Sequence, residues 1–175
     1  HHFGYAAGGL DYLPHTHDEY NVVLCLKGML DYVVEGARQS LGPGDLMVIN
    51  PGDVWIMNDS YLAGTHLNDI TVYGPIFHAG ELVGFAASRA HWLDIGAKDT
   101  GAPMDSTEIY QEGLRLGPTK IVEGGRERRD VIDLLARNSR FSYPAIGDLN
   151  AQIACVRTGE RRLGALSERF GAEIL

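Results

Sequence analysis

Two short segments of this sequence repeat one arrangement of side chains that bind metals. Each reads histidine, two other residues, then aspartate: His66 to Asp69, and His91 to Asp94. Divalent transition metals bind neutral imidazoles and carboxylates, and two histidines with one carboxylate leave positions open for water or substrate. We therefore predict a metal site at His66, Asp69 and His91. Asp94 is predicted to be catalytic, as a fourth ligand, a partner that orients a histidine, or a general base.

Another pair of histidines lies nearer the N-terminus. His15 and His17 are two residues apart, which places them on one face of a strand, and Glu19 continues that parity. Two interpretations stay open for this pair. It is either a second metal site or a pair of solvent-exposed histidines at the mouth of a β-barrel.

The elements that would position these residues are mostly strands. Glycine accounts for 22 of the 175 residues without any period, which favours many tight turns. A hairpin is predicted from Pro75–Phe77 and Leu82–Ala87, joined by a four-residue turn. Other apolar runs bounded by turn residues predict strands at Tyr20–Leu26, Met29–Val34, Leu46–Ile49 and Asp69–Tyr73.

The last third of the chain is expected to be helical. Arg126–Arg137 carries its apolar residues on one side, and Leu149–Phe170 keeps helical spacing, with Asp148 as its N-cap and Gly171 as its end. One helical turn is expected within Asp105–Gly113. The predicted fold class is α+β: antiparallel strands first, then a mixed hairpin and helical segment that ends in a long amphipathic helix.

Composition excludes several classes of function. The formal net charge is −8 and no basic patch stands out, which argues against nucleic acid as a partner. No apolar run reaches the roughly 20 residues that cross a membrane. Cys25 and Cys155 lie far apart in apolar runs, which predicts two buried thiols in a cytoplasmic protein. The sequence also has no Gly-x-x-x-x-Gly-Lys loop for nucleotide phosphates.

The first His-x-x-Asp segment belongs to a longer string, Gly52–Asp69, that closely resembles the hydantoinase B/5-oxoprolinase family. That family includes the catalytic subunits of acetone and acetophenone carboxylases. The likeness covers residues 52–175 and continues through Phe77–Val83, Ala87–Trp92, Asp105–Gly113, Lys120–Gly125, Asp148–Ala154 and Arg157–Glu160.

The resemblance implies an enzyme that opens cyclic amides or carboxylates ketones. ATP would be used by a partner subunit of the hydantoinase A type. In the carboxylase members two histidines and an aspartate hold a divalent metal, and His66, Asp69 and His91 match those positions. Manganese, zinc or iron would suit that set.

A second resemblance covers Tyr12–Val54, which is similar to the cupin sensor domain of AraC-type regulators. The matching strings are Pro14–Tyr20, Lys27-Gly28, Leu41–Leu46 and Ile49–Gly52. This similarity predicts a partial cupin-like barrel at residues 1–54 and a partial hydantoinase B-like domain at 55–175, as in a chimeric fusion. The histidine that ends the second cupin motif is missing after Pro51-Gly52-Asp53.

Two other functions stay open at this point. One is a small-molecule-binding cupin sensor without catalysis. The other is an inactive interaction fragment whose long helix docks on a partner subunit. A homo-oligomer is also compatible with the sequence.

Overall fold

The structure is a computed structural model of the 175-residue chain, and it describes residues 21–24, 30–34, 37–41, 46–62 and 65–171. Within these ranges, side chains are described from residue 49 onward except at Glu81. The histidine pair His15 and His17 lies outside the described residues, as does Cys25.

Four short strands in the first part of the chain form two antiparallel pairs. Strand β1 (Asn21–Leu24) pairs with β4 (Leu46–Ile49), and β2 (Leu30–Val34) pairs with β3 (Ala37–Leu41). The three strands predicted in this part are confirmed. Strand β3 was not predicted, because only its first and last residues are apolar.

The main sheet has five antiparallel strands in the order β7-β6-β5-β8-β9. Their bounds are β5 (Val54–Met57), β6 (Asp69–His78), β7 (Glu81–His91), β8 (Thr119–Glu123) and β9 (Arg126–Glu127). The sheet is open, with β7 and β9 at its edges. The mixed α+β class is confirmed, whereas a cupin-like barrel is not, since no sheet among the described strands closes.

Two helices follow the sheet: α1 (Arg129–Arg137) and α2 (Ser142–Phe170). Helix α2 packs across β6 and β7. A Cβ atom built on Gly159 would lie 2.9 Å from the Ala86 Cβ, so glycine is what lets the helix backbone approach the strand this closely. Within the described residues, neither helix combines the length and apolar character that crossing a bilayer requires.

The hydrophobic core lies between the two helices and the face of the sheet on which α2 packs. Its largest fully buried side chain is Trp92. The other buried core residues include Val54, Ile56, Leu67, Ile70, Val72, Ile76, Ile121, Leu149 and Val156.

The predicted start of the long helix is wrong. Helix α2 begins at Ser142 instead of Leu149, because Pro144 falls in the first turn, where its missing N–H costs no hydrogen bond. Phe141 is therefore the N-cap, and Asp148 lies inside the helix. The predicted end at Gly171 is confirmed.

Two further predictions need correction. The β6–β7 hairpin turns through two residues instead of four, because Ala79 and Gly80 both adopt positive φ angles, of 52° and 87°. Cys155, predicted to be buried, is exposed because it faces away from the sheet on α2. The expected helical turn is confirmed as a 3-10 turn at Ile109–Gln111.

Candidate functional site

The register of the β6–β7 hairpin changes by one residue partway along. Near the turn, Phe77 pairs with Leu82. One residue farther from the turn, Ile76 pairs with Gly84. Val83 is therefore an extra residue, which makes a β-bulge. Side chains alternate between the two faces of a strand, so one extra residue moves every later side chain of β7 to the opposite face.

The bulge decides which residue faces the start of β6. With it, Asp69 is the direct partner of His91. Without it, Asp69 would pair with Ala90, and His91 would point to the other face of the sheet. In the structure, Nδ1 of His91 lies 2.8 Å from Oδ1 of Asp69. The bulge thus creates this contact.

His66 reaches the same place through the turn that precedes β6. The Asp69 N–H donates to the His66 carbonyl at 3.0 Å, and the His66 N–H donates to Oδ2 of Asp69 at 3.3 Å. The Thr65 hydroxyl donates to the same oxygen. The rings of His66 and His91 meet edge to face, with centroids 6.0 Å apart. The structure therefore brings all three predicted metal ligands into one cluster.

The Asp69 carboxyl is held in its charged form. Its burial alone raises its pKa, but hydrogen bonds from Thr65, His91 and the His66 N–H outweigh that effect. The net result is a pKa of Asp69 below the ordinary value of 3.8. An ionised carboxylate beside two imidazoles is the state in which these groups bind a cation.

The cluster has the donor types of a metal site but not the spacing of a ready metal cage. In the part of the chain that the structure describes, no group of three or more His, Cys, Asp or Glu side chains is spaced as a ready metal cage. In this cluster the Asp69 oxygens are engaged by hydrogen bonds instead. The donor types nevertheless suit a divalent transition metal, and the His91 side chain is 46% exposed and open to solvent. The residues therefore fit such an ion in the chemistry of their donors.

A buried glutamine on α2 fixes the two strand ends that carry the cluster. Oε1 of Gln152 accepts a hydrogen bond from the Trp92 indole at 2.9 Å. Its Nε2 donates to the carbonyls of Ile70 at 2.9 Å and Ser88 at 3.0 Å. Asn68 completes this hydrogen-bond network by donating to the Trp92 carbonyl at 2.7 Å. These partners lie next to or near the cluster in sequence, so α2 holds the site through them.

Asp94 lies in a different environment from the cluster. Its side chain is fully buried, with Oδ1 2.6 Å from Nη1 of Arg140 and Oδ2 accepting the Arg140 backbone N–H at 2.5 Å. The Gly96 N–H also donates to Oδ1 at 3.2 Å. Among the contacts of the described residues, none joins Asp94 to the cluster. Asp94 anchors the start of α2 to the loop after β7, and its catalytic role stays a prediction.

A cavity of about 200 Å³ opens beside the cluster. His66 forms part of its wall. The remaining lining residues are Asn68, Ala102, Pro103, Met104, Ser106 and Glu112. No local pattern links the segment 102–112 to His66, because more than 30 residues separate them.

A family model and a curated relative both match most of this chain. The family model for hydantoinase B/oxoprolinase matches residues 17–175. The caprolactamase subunit beta of Pseudomonas jessenii is 42% identical over 126 residues, which are 71% of this chain and 22% of that protein. The chain thus spans about a fifth of the length of this curated relative.

Two solved structures share the fold. The crystal structure of the ATP-dependent caprolactamase from P. jessenii matches with a TM-score of 0.68 and 42% identity, covering 71% of this chain and 22% of that one. A nucleotide-free acetone carboxylase matches with a TM-score of 0.65 and 25% identity, covering 70% and 16%. The family match begins inside the segment predicted to be cupin-like, and that two-domain division stays a prediction.

Proposed function

Since this chain belongs to the hydantoinase B/oxoprolinase family, we propose that it carries the metal site of an enzyme subunit that acts on cyclic amides or carbonyl substrates. The observation that supports this proposal is the convergence of His66, Asp69 and His91 at one end of the β6–β7 hairpin. No other described part of the chain unites two histidines and a carboxylate in this way.

The three side chains would hold a divalent metal. Such an ion would polarise a carbonyl or activate a water molecule. The chain's own residues prepare for it: Asp69 stays ionised, and its Oδ1 lies 2.8 Å from Nδ1 of His91, so the carboxylate and this ring already lie side by side. Because His66 also lines the cavity, a small molecule bound there would lie against the proposed metal site.

We further propose that ATP enters through a partner subunit of the hydantoinase A type. Two observations support this part. The relative from P. jessenii is named as a beta subunit, and its crystal structure is described as an ATP-dependent caprolactamase. The sequence of this chain also contains no Gly-x-x-x-x-Gly-Lys loop.

A metal titration tests the site. The chain should bind one equivalent of zinc or manganese, and His66→Ala should weaken binding by more than about 100-fold, since losing even a supporting residue costs 10–100-fold. His78→Ala, at the far end of β6 from the cluster, is the matched control and should bind as the wild type does. Full metal content in His66→Ala would contradict the proposal.

Reconstitution tests the partner. Mixing the metal-loaded chain with a hydantoinase A-type subunit should give ADP release that depends on a cyclic amide or a ketone and on both proteins. Complex formation without any turnover would favour the inactive interaction fragment instead. Neither binding nor turnover at micromolar concentrations would contradict the proposed partner.

A further inference from the structure

The cavity beside His66 has both apolar and polar lining residues. The apolar ones are Ala102, Pro103 and Met104, of which Met104 is 94% exposed. Two of the polar lining residues make side-chain hydrogen bonds within the chain: Asn68 donates to the Trp92 carbonyl at 2.7 Å, and the Ser106 hydroxyl donates to the Pro103 carbonyl at 3.4 Å. The other two, His66 and Glu112, make no side-chain hydrogen bond among the described residues.

The backbone around Glu112 is fixed on both sides. The Gln111 carbonyl accepts the Lys98 N–H at 2.8 Å, and the Leu114 N–H donates to the Ile95 carbonyl at 2.9 Å. Glu112, which lines the cavity, therefore lies in a segment whose backbone is held on both sides.

A glycine next to Glu112 makes this close packing possible. Gly113 has a φ of +113°, and a Cβ atom there would lie 2.8 Å from the Ile95 carbonyl oxygen and 3.1 Å from the Ala97 nitrogen. A side chain at this position would push the segment away from residues 95–97. The placement of Glu112 thus depends on its neighbour having no side chain.

The cationic side chains of Lys98 and Arg115 are paired with other carboxylates. Nζ of Lys98 lies 2.6 Å from Oδ1 of Asp105, and Nε of Arg115 lies 3.6 Å from Oδ2 of Asp59. Within the described residues, the half-buried Glu112 carboxylate makes no hydrogen bond or ion pair. A carboxylate partly removed from water without a partner is costly, and a ligand that donates a hydrogen bond would remove that cost.

We propose that Glu112 determines ligand specificity by accepting a hydrogen bond from the N–H of a secondary cyclic amide. The ring of the amide lies against Ala102 and Pro103, and its carbonyl faces His66. A ketone of the same size offers a carbonyl but no donor, so it leaves Glu112 unpaired. This inference rests on the proposed function and selects cyclic amides from the two substrate classes that it allows.

Matched small probes test this assignment. The zinc-loaded full chain is titrated with 2-piperidone and with N-methyl-2-piperidone, and backbone amide shifts of residues 104–113 are followed by NMR. The two probes differ only in the N–H. The wild type should bind 2-piperidone about tenfold more tightly, the effect of one hydrogen bond to a charged group.

Two variants connect the preference to one side chain. Glu112→Ala should bind both probes equally. Glu108→Ala is the matched control, because Glu108 is exposed in the same segment and makes no side-chain capping bond; it should keep the tenfold preference.

Three results would overturn the proposal: equal affinities in the wild type, a preference that survives in Glu112→Ala, or no saturable shift with 2-piperidone. Zinc affinity is measured in parallel for each protein. A chain that binds zinc but shows no preference overturns this inference alone. A chain that shows the preference but binds no zinc overturns the metal site while supporting the role of Glu112.

Discussion

The two His-x-x-Asp segments share one spacing but meet opposite environments. Asp69 begins β6, is 16% exposed, and contacts His91 across the strand pair. Asp94 lies in the loop after β7, is fully buried, and is paired with Arg140. The first aspartate joins the histidine cluster, and the second joins two parts of the fold.

The role of each aspartate is therefore determined by whether it lies on a paired strand or in a loop, and not by its spacing from a histidine. A residue on a paired strand is placed by the register, which the bulge at Val83 sets for Asp69 and His91. A residue in a loop is placed by the partners that neutralise it. Changing the two aspartates separately should therefore produce different losses.

The largest expected effect is on stability. Asp94→Ala should lower the free energy of unfolding by about 3 kcal/mol, because it strips the guanidinium and the backbone N–H of Arg140 of their charged acceptor. Asp69→Ala should cost less than about 1 kcal/mol, since its partners reach water. Urea unfolding of both variants measures the difference. Equal losses would show that the two environments are energetically alike.

The next largest effect concerns the hydrogen-bond network of Gln152, which connects α2 to the cluster. Gln152→Met keeps the volume but removes three hydrogen bonds, so the free energy of unfolding should fall by about 2 kcal/mol and metal affinity should weaken. Arg161→Met, at an exposed position of α2, should change stability by no more than about 0.5 kcal/mol. Unchanged metal affinity in Gln152→Met would show that this hydrogen-bond network does not influence the metal site.

The smallest effect is a pH dependence confined to the cluster. The pKa of Asp69 is below 3.8 in the folded chain, so the unfolded chain binds more protons between the two pKa values. The stability that Asp69 contributes is therefore present above about pH 4 and is lost as pH falls through the folded pKa. Unfolding of the wild type and Asp69→Asn from pH 7 to pH 2 should converge at the acid end. A constant difference would contradict this.

Much of this fold follows from local sequence pattern. Alternation and turn residues predicted the strands that pair as β1, β2, β4 and β6, and helical spacing predicted α2. The repeated His-x-x-Asp spacing pointed to the three cluster residues, and the resemblance of the string around His66 supported that choice. These signals are local, so a single sequence is enough to find them.

Other features depend on contacts that no local pattern encodes. The bulge at Val83 adds one residue among ordinary strand formers, so the register of β7 was not predictable. Gln152 had a weak signal, because it lies on the same helix face as Leu149 and Val156, where a polar residue needs partners. Glu112 reaches the cavity only through the packing of a distant loop.

X-ray absorption at the zinc edge of the zinc-loaded chain tests the central claim most directly. The account predicts two imidazole nitrogens and carboxylate oxygen at about 2.0–2.2 Å from the metal. His91→Ala should remove one imidazole from the spectrum, while His78→Ala should leave it unchanged. A spectrum with no imidazole, or one that His91→Ala does not alter, would contradict a metal site built from His66, Asp69 and His91.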